Sequence, residues 1–216
     1  MRKIFIAGST GAVGRTVVAL ADTSRLDFVP HVRPGRAAKG PVHPKAAVLE
    51  LGDAPALLAA MRGCTTVLQL IGTMRSRFGS GDTYQTSDIG TTRQLVEAAK
   101  ACGVDHFVLL SAVGAGSPVG AYLKAKAQAE ALVTGSGLPF TLFRPSTFVG
   151  EGHRAPPGMG AVTRVLGLAR YQPILVTDLA TAILYVARAR QSLGATLEGK
   201  SLWEVVAAAK RAPPSS

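Results

Sequence analysis

The sequence predicts an α/β protein with a doubly wound parallel sheet, and three observations carry that prediction. Short apolar runs recur along the first 143 residues, helix-forming segments separate them, and the runs are continuous instead of alternating with polar residues. Continuous apolar runs are typical of strands that are buried on both faces. A regular alternation of such strands with helices is typical of a parallel sheet that helices cover on both sides.

Each element in this alternation has a local signal. Six apolar runs are predicted as strands: residues 4–7, 28–32, 46–51, 67–71, 107–110 and 140–143. Four intervening segments are predicted as helices: residues 13–21, 55–61, 82 or 83 to 101, and 121–133. Pro55 suits a first helical turn with Asp53 close to its cap, and Gly103 and Gly135 end the helices that precede them.

The pattern changes after Arg144. Residues 150–160 are rich in glycine and proline and are predicted as a loop. A helix, a strand and a second helix follow, at residues 179–190, around Leu197 and at 203–210. Because this segment is too small for an independent core, we predict one domain, residues 1–216. Residues 145–216 are expected to contribute a small C-terminal cap on its substrate side.

Charge narrows the classes of partner. The chain has 24 Lys and Arg against 13 Asp and Glu, a formal net charge of +11, which favours anionic ligands. The basic residues are scattered and no nucleic-acid-binding motif is present, so a small-molecule substrate is expected and nucleic acid is not. No apolar run approaches the length of a bilayer span, so no membrane partner is expected. A monomer and a homodimer both remain open.

The two cysteines indicate a reducing compartment. Cys64 and Cys102 form no CxxC pair, and two cysteines are too few for a disulfide framework. We therefore predict a cytoplasmic location.

A glycine-rich turn stands between the first strand and the first helix. A dinucleotide site needs a tight turn at its first glycine, bare backbone at its second and close helix–strand packing at its third, with the helix N-terminus facing the phosphates. The spacing here is GxxGxxG. An ordinary glycine turn is the alternative, but the strand–turn–helix context favours cofactor binding. The predicted cofactor-binding residues are Gly8, Ser9, Thr10, Gly11, Ala12, Val13 and Gly14.

The end of the second strand indicates which nicotinamide nucleotide binds. NAD sites usually carry an acidic residue there, bonded to the ribose 2′-hydroxyl, and this strand end has none. Arg33 stands in that place with a guanidinium that suits a 2′-phosphate, and Arg36 is close enough in sequence to assist. We therefore predict NADP(H) in preference to NAD(H), the alternative being a solvated basic surface. Gly52 and Asp53 follow the third strand and suit the adenine pocket, although Asp53 suits a helix cap equally well.

Three polar residues suit carbonyl reduction. Tyr122 and Lys126 are four residues apart on one predicted helix and therefore share a face, while Ser111 ends the fifth strand at the ligand-binding edge. A tyrosine whose pKa is lowered by a nearby cation can protonate a developing alkoxide, and a serine can orient the carbonyl oxygen. The alternatives are a core tyrosine, a solvated lysine and a serine that bonds to backbone. The three together favour a catalytic role for Ser111, Tyr122 and Lys126.

These features together resemble the short-chain dehydrogenase/reductase superfamily, and most closely its atypical NAD(P)H-binding and NmrA-like branch, over residues 3 to about 190. Further matching motifs are Leu51-Gly52-Asp53, Gly90-Thr91, Leu95–Ala99, Phe107–Gly114, Arg144–Gly150 and Val176–Ala180. The resemblance implies a Rossmann fold, a bound nicotinamide nucleotide and the catalytic residues already named. It also implies that Ile71, Gly72, Thr73, Pro145 and Ser146 lie near the cofactor.

Two departures from the family pattern bear on function. Classical members carry an asparagine on the fourth helix that completes a proton relay, and the nearest positions here are Ser87 and Asp88. The chain is also shorter than the sugar-nucleotide epimerases of the extended branch, which leaves little room for a nucleotide-sugar pocket. The sequence thus predicts an NAD(P)H-dependent oxidoreductase that reduces a carbonyl, a quinone or a similar small acceptor. The alternative is a non-catalytic NADP(H)-binding regulator that senses redox state.

Overall fold

A seven-stranded, all-parallel sheet forms the centre of the protein. The computed structural model describes residues 2–72, 85–150 and 168–212. Thr73 and most of the predicted loop at 150–160 lie outside the described residues. The strand order is β3-β2-β1-β4-β5-β6-β9, and every neighbouring pair is parallel. This order winds outward in both directions from β1 and β4, so the predicted doubly wound class is confirmed.

The strands of the described residues are β1 Lys3–Ala7, β2 Asp27–Val32, β3 Ala47–Val48, β4 Thr66–Gln69, β5 His106–Leu110, β6 Phe140–Phe143, β7 Phe148–Val149, β8 Ile174–Leu175 and β9 Ala195–Leu197. Their helices are α1 Ala12–Thr23, α2 Pro34–Ala37, α3 Ala54–Met61, α4 Thr91–Ala101, α5 Gly120–Thr134, α6 Val176–Ala189 and α7 Lys200–Arg211. A π-helical turn, Gln85–Gly90, leads directly into α4, and a 3₁₀ turn spans Ala169–Tyr171.

The third strand is much shorter than the apolar run at 46–51 indicates. Only two residues of β3 pair with β2, and the N–H of Leu49 donates one further hydrogen bond to the carbonyl of Val32 before the chain turns away from the edge of the sheet. Leu49 and Leu51 are nevertheless buried, in the apolar cluster formed with α3 and α4. Their apolar character reflects packing beneath these helices, which the sequence pattern does not distinguish from a buried strand.

The core lies on both faces of the sheet, as continuous apolar strands require. Ile4 and Ile6 of β1 pack on one face with α1, α6 and α7, while Phe5 packs on the other with α3 and α4. Each strand thus supplies apolar side chains to two separate layers. Helices therefore lie on both faces of the sheet, because the apolar side chains of each face must be shielded from water.

The segment after Arg144 contributes to this core. β9 pairs with β6 and extends the sheet, and α6 packs against both α1 and α7. A separate two-stranded pair, β7 with β8, lies outside the seven-stranded sheet. The role of residues 145–216 as a substrate-side cap stays a prediction. In the part of the chain that the structure describes, no helix has the length and apolarity needed to cross a bilayer.

Candidate active site

A cleft lies at the carboxyl ends of β1, β4 and β5, where the strand order reverses. In doubly wound sheets ligands bind at this switch point. Of the described residues, those lining the cleft are Gly11, Ala12, Val13, Gly14, Leu70, Gly72, Leu110, Ser111, Tyr122, Lys126 and Phe148. Residues 11–14 of the glycine-rich turn and the predicted Ser–Tyr–Lys set therefore share one cavity, while Gly8, Ser9 and Thr10 lie outside its described lining. Leu70, Leu110 and Phe148 were not predicted as site residues, because apolar strand-end residues carry no chemical signal.

The glycine turn is packed so closely that side chains do not fit at two of its glycines. Gly8 has φ +87°, and a Cβ atom there would lie 2.7 Å from the backbone nitrogen of Ile71. A Cβ atom at Gly14 would lie 2.0 Å from the carbonyl oxygen of Gly8. These contacts hold the start of α1 against the ends of β1 and β4. The first and third glycines thus have the structural roles that a dinucleotide turn requires.

The first turn of α1 faces this cleft without a side-chain cap. Gly11 occupies the N-cap position, makes no side-chain hydrogen bond, and the first turn contains no acidic residue. Backbone N–H groups at such a helix N-terminus attract phosphate oxygens. The bare turn therefore fits the pyrophosphate of a nicotinamide nucleotide.

The hydroxyl of Ser9 connects the glycine turn to the second strand. It donates a hydrogen bond to the carbonyl oxygen of His31 in β2, and Ser9 is buried. Arg33 follows β2 directly, and Arg33 and Arg36 are both exposed at this edge of the sheet. From Val32 to Leu49 the chain has no acidic residue. The two arginines thus lie beyond the carboxyl end of β2, where the sequence predicts a 2′-phosphate, and outside the described lining of the cleft.

Asp53 acts as a helix cap. Its Oδ1 accepts a hydrogen bond from the backbone N–H of Ala56 at 3.1 Å, at the start of α3. Gly52 and Asp53 are exposed and lie outside the described lining of the cleft. Their contact with adenine stays a prediction.

Lys126 forms a buried ion pair that the sequence did not predict. Its Nζ lies 2.8 Å from Oδ1 of Asp88, and the exposed fractions of the two side chains are 5% and 1%. Nζ also donates to the carbonyl oxygen of Leu110 at 3.3 Å and lies 5.9 Å from the ring centroid of Tyr122.

Ser111 presents a polar atom that the fold does not use. Its side chain is 2% exposed, and its Oγ has no hydrogen-bond partner among the described residues. Leaving a buried hydroxyl unpaired is unfavourable, so such a group calls for a ligand or water. Because Ser111 lines the cleft beside Tyr122, it fits a substrate oxygen. The bare helix turn and this hydroxyl together fit a nicotinamide nucleotide with a small acceptor.

The remaining predicted residues have structural contacts. The N–H of Ile71 donates to the side-chain oxygen of Gln69 at 3.0 Å. The carbonyl of Pro145 accepts from the N–H of Val113 at 2.9 Å, and the hydroxyl of Ser146 donates to the carbonyl of Gln172. Contacts of Ile71, Pro145 and Ser146 with a nucleotide stay predictions.

Arg144 holds α5 in place from the end opposite Tyr122. Its Nε and Nη2 donate to the two carboxylate oxygens of Glu130 at 2.8 and 2.6 Å, and its Nη1 donates to Glu198 at 3.2 Å. Glu198 also pairs with Arg170. The hydrogen bonds to Glu130 hold the pKa of the Arg144 guanidinium above its usual value. Because Glu130 lies one turn beyond Lys126 on α5, this network orients the helix that carries Tyr122.

Comparisons with known proteins identify a nucleotide-binding family. A protein family described as NAD(P)H-binding matches residues 8–189. Protein FMP52-1 of Scheffersomyces stipitis, named mitochondrial, is 30% identical over 158 residues, 68% of this chain and 67% of its own. A (4-alkanoyl-5-oxo-2,5-dihydrofuran-3-yl)methyl phosphate reductase of Streptomyces griseus is 29% identical over 178 residues, 81% of this chain and 58% of the reductase. Because one relative is named mitochondrial, the cytoplasmic location stays a prediction.

Solved structures support the fold assignment. A short-chain dehydrogenase/reductase superfamily protein from Agrobacterium tumefaciens, crystallised with bound NAD, superimposes with a TM-score of 0.71 at 21% identity. The match covers 92% of this chain and 77% of that protein. The Rossmann fold implied by the sequence motifs is confirmed. The chain belongs to the NAD(P)H-binding family, and its motifs resemble those of the short-chain dehydrogenase/reductase superfamily.

Proposed function

We propose that this protein is an NADPH-dependent reductase that acts on a carbonyl, a quinone or a similar small acceptor. The observation that carries the proposal is the shared cleft, in which the first turn of α1 lies across from Ser111, Tyr122 and Lys126. When bound, the nicotinamide nucleotide supplies the hydride. The Streptomyces griseus relative, which is named a reductase, supports a reductive direction.

The three polar residues have distinct roles in this proposal. The unpaired hydroxyl of Ser111 donates a hydrogen bond to the acceptor oxygen and orients it. The phenol of Tyr122 gives its proton to that oxygen as negative charge develops there. The ammonium of Lys126 stabilises the resulting phenolate from beside the ring. Acid–base help of this kind accelerates a reaction by about 10²–10⁴-fold.

The preference for NADPH rests on the edge of the sheet at β2. Arg33 and Arg36 offer exposed guanidinium groups there, and the acidic residue that would repel a 2′-phosphate is missing. An arginine fork matches phosphate in shape and charge. A 2′-phosphate therefore gains an interaction that the 2′-hydroxyl of NADH does not make.

Nucleotide titration tests the cofactor assignment. We expect wild-type protein to bind NADPH more tightly than NADH, and Arg33→Ala to weaken NADPH binding about tenfold, equivalent to about 1.4 kcal/mol, with NADH binding unchanged. Arg62→Ala is the matched control, because Arg62 is exposed at the opposite, amino edge of the sheet near Lys3. Equal affinity of the wild-type protein for both nucleotides would show that Arg33 does not bind the 2′-phosphate.

The Tyr122→Phe variant tests catalysis separately from binding. Turnover of an accepted substrate should fall about 10²–10⁴-fold while NADPH affinity stays unchanged, because only the proton donor is lost. Tyr185→Phe is the control, since Tyr185 packs against the core from α6. Full activity in Tyr122→Phe would exclude this mechanism. NADPH binding by wild-type protein without turnover across a panel of acceptors would favour the redox-sensing regulator.

A further inference from the structure

The buried carboxylate of Asp88 belongs to a turn that side-chain hydrogen bonds hold in place. Its backbone carbonyl accepts a hydrogen bond from Thr92 Oγ1 at 2.6 Å, and its Oδ2 accepts one from Ser87 Oγ at 3.2 Å. Oδ1 faces the Lys126 ammonium at 2.8 Å. Hydrogen bonds within its own turn thus position the Asp88 carboxylate, independently of its contact with Lys126.

The ammonium of Lys126 is confined on three sides. Asp88 lies on one side and the carbonyl of Leu110 on another. On the third, a Cβ atom at Gly72 would lie 2.6 Å from Nζ, so the Gly72 backbone passes directly beside the ammonium. Gly72 therefore leaves the space that the lysine occupies. Asp88 supplies the negative charge that keeps it there.

The ion pair changes the field that Tyr122 experiences. Among the described neighbours of Lys126, β5 contributes the uncharged Leu110 carbonyl and Ser111 hydroxyl, and the end of β4 contributes Gly72. On α5 itself Lys124 is exposed to solvent and Glu130 is already paired with Arg144. The charged side chains of α4 are exposed to solvent: Arg93, Glu97 and Lys100. Asp88 is thus the charge that compensates Lys126 within this buried cluster.

We propose that Asp88 is a positioning residue that fixes Lys126 and offsets most of its charge, so that the Tyr122 hydroxyl holds its proton to higher pH and serves as a donor. An uncompensated cation beside a phenol would promote loss of that proton. The compensated lysine favours reduction over oxidation, because reduction needs the protonated tyrosine. This inference rests on the proposed reductase function.

The proton balance of the step is simple. The acceptor gains a hydride at carbon and a proton at oxygen, with the reduced nucleotide as the two-electron donor. The Tyr122 O–H bond breaks as the product O–H bond forms. The resulting phenolate then takes a proton from solvent.

An absorbance titration of tyrosinate tests the proposal without cofactor or substrate. The signal of Tyr122 is isolated by subtracting the titration of the matching Tyr122→Phe protein. In Asp88→Asn we expect the midpoint to fall by about one pH unit or more, because the lysine charge is no longer offset. An unchanged midpoint would overturn the proposal.

Two further variants separate charge from structure. Thr92→Val removes a hydrogen bond from the same turn without changing its charge, so its midpoint should match wild type. An equal shift in Thr92→Val would show that Asp88→Asn acts through the structure of the turn, against the proposal.

The double variant Asp88→Asn with Lys126→Met carries no charge at either position. It replaces the single variant in the test if Asp88→Asn does not fold. Its midpoint should rise by less than about one unit, because only the part of the lysine charge that Asp88 leaves uncompensated is removed. A rise above about one unit would mean that Lys126 is uncompensated in wild type, and would overturn the proposal.

Activity gives an independent readout. In Asp88→Asn the alkaline fall of the reduction rate should move to lower pH by the same interval, with KM unchanged. If wild-type protein does not bind NADPH, the proposed reductase function is refuted and the tyrosinate result is unaffected. The test therefore distinguishes a failure of the proposed function from a failure of the role proposed for Asp88.

Discussion

Replacing Gly14 by alanine should destabilise the protein, although alanine favours helices. The added Cβ would lie 2.0 Å from the Gly8 carbonyl oxygen, 1.4 Å closer than the 3.4 Å at which ordinary contact begins. Both partners are backbone, so α1 or the glycine turn must move. Overpacking of this kind costs about 3 kcal/mol at the upper end of its usual range. The helix propensity of alanine offsets about 1 kcal/mol, which leaves a net loss of about 2 kcal/mol.

Urea unfolding measures this loss directly, with the fluorescence of Trp203, the single tryptophan, as the signal. Gly11→Ala is the matched control, because a Cβ there would lie 3.4 Å from the same oxygen, an ordinary distance. At this N-cap position the change from glycine to alanine should cost less than about 1 kcal/mol. If Gly14→Ala is as stable as Gly11→Ala, the close contact between α1 and the turn does not constrain the fold as we argue.

Two further predictions concern stability away from the cleft. Burial lowers the pKa of His106 to about 4, below its usual 6.5. As the pH falls, the unfolded chain therefore binds a proton at this histidine before the folded protein does. The free energy of unfolding should fall by about 3 kcal/mol between pH 6.5 and pH 4. His106→Gln should flatten that part of the pH–stability curve, and an unchanged slope would assign it to other groups. Arg144→Lys should lower the unfolding free energy by about 2 kcal/mol, because lysine keeps the charge but loses the two-point contact with Glu130. Arg62→Lys, at an exposed position, should have little effect, and equal losses in the two variants would contradict a special role for the network.

The local elements follow from local signals. The glycine spacing, the strand before it and the helix after it are neighbours in sequence, so their arrangement depends on short-range backbone geometry. The same holds for Tyr122 and Lys126, which share a helix face because they are four residues apart. Asp53 shows the opposite case, since one motif suited two roles and the structure shows the helix cap.

Contacts between distant segments depend on how the layers pack. The pairing of Asp88 with Lys126 arises because the turn before α4 packs beside α5, and the Arg144 network arises because β9 lies next to β6. Neither contact has a periodicity or spacing that marks it in the chain. The sequence by itself determined the fold class and the glycine-rich turn between β1 and α1, and it predicted the polar residues that the structure brings into one cleft. The tertiary structure decided which charges meet in the cleft, because that depends on packing between elements far apart in the chain.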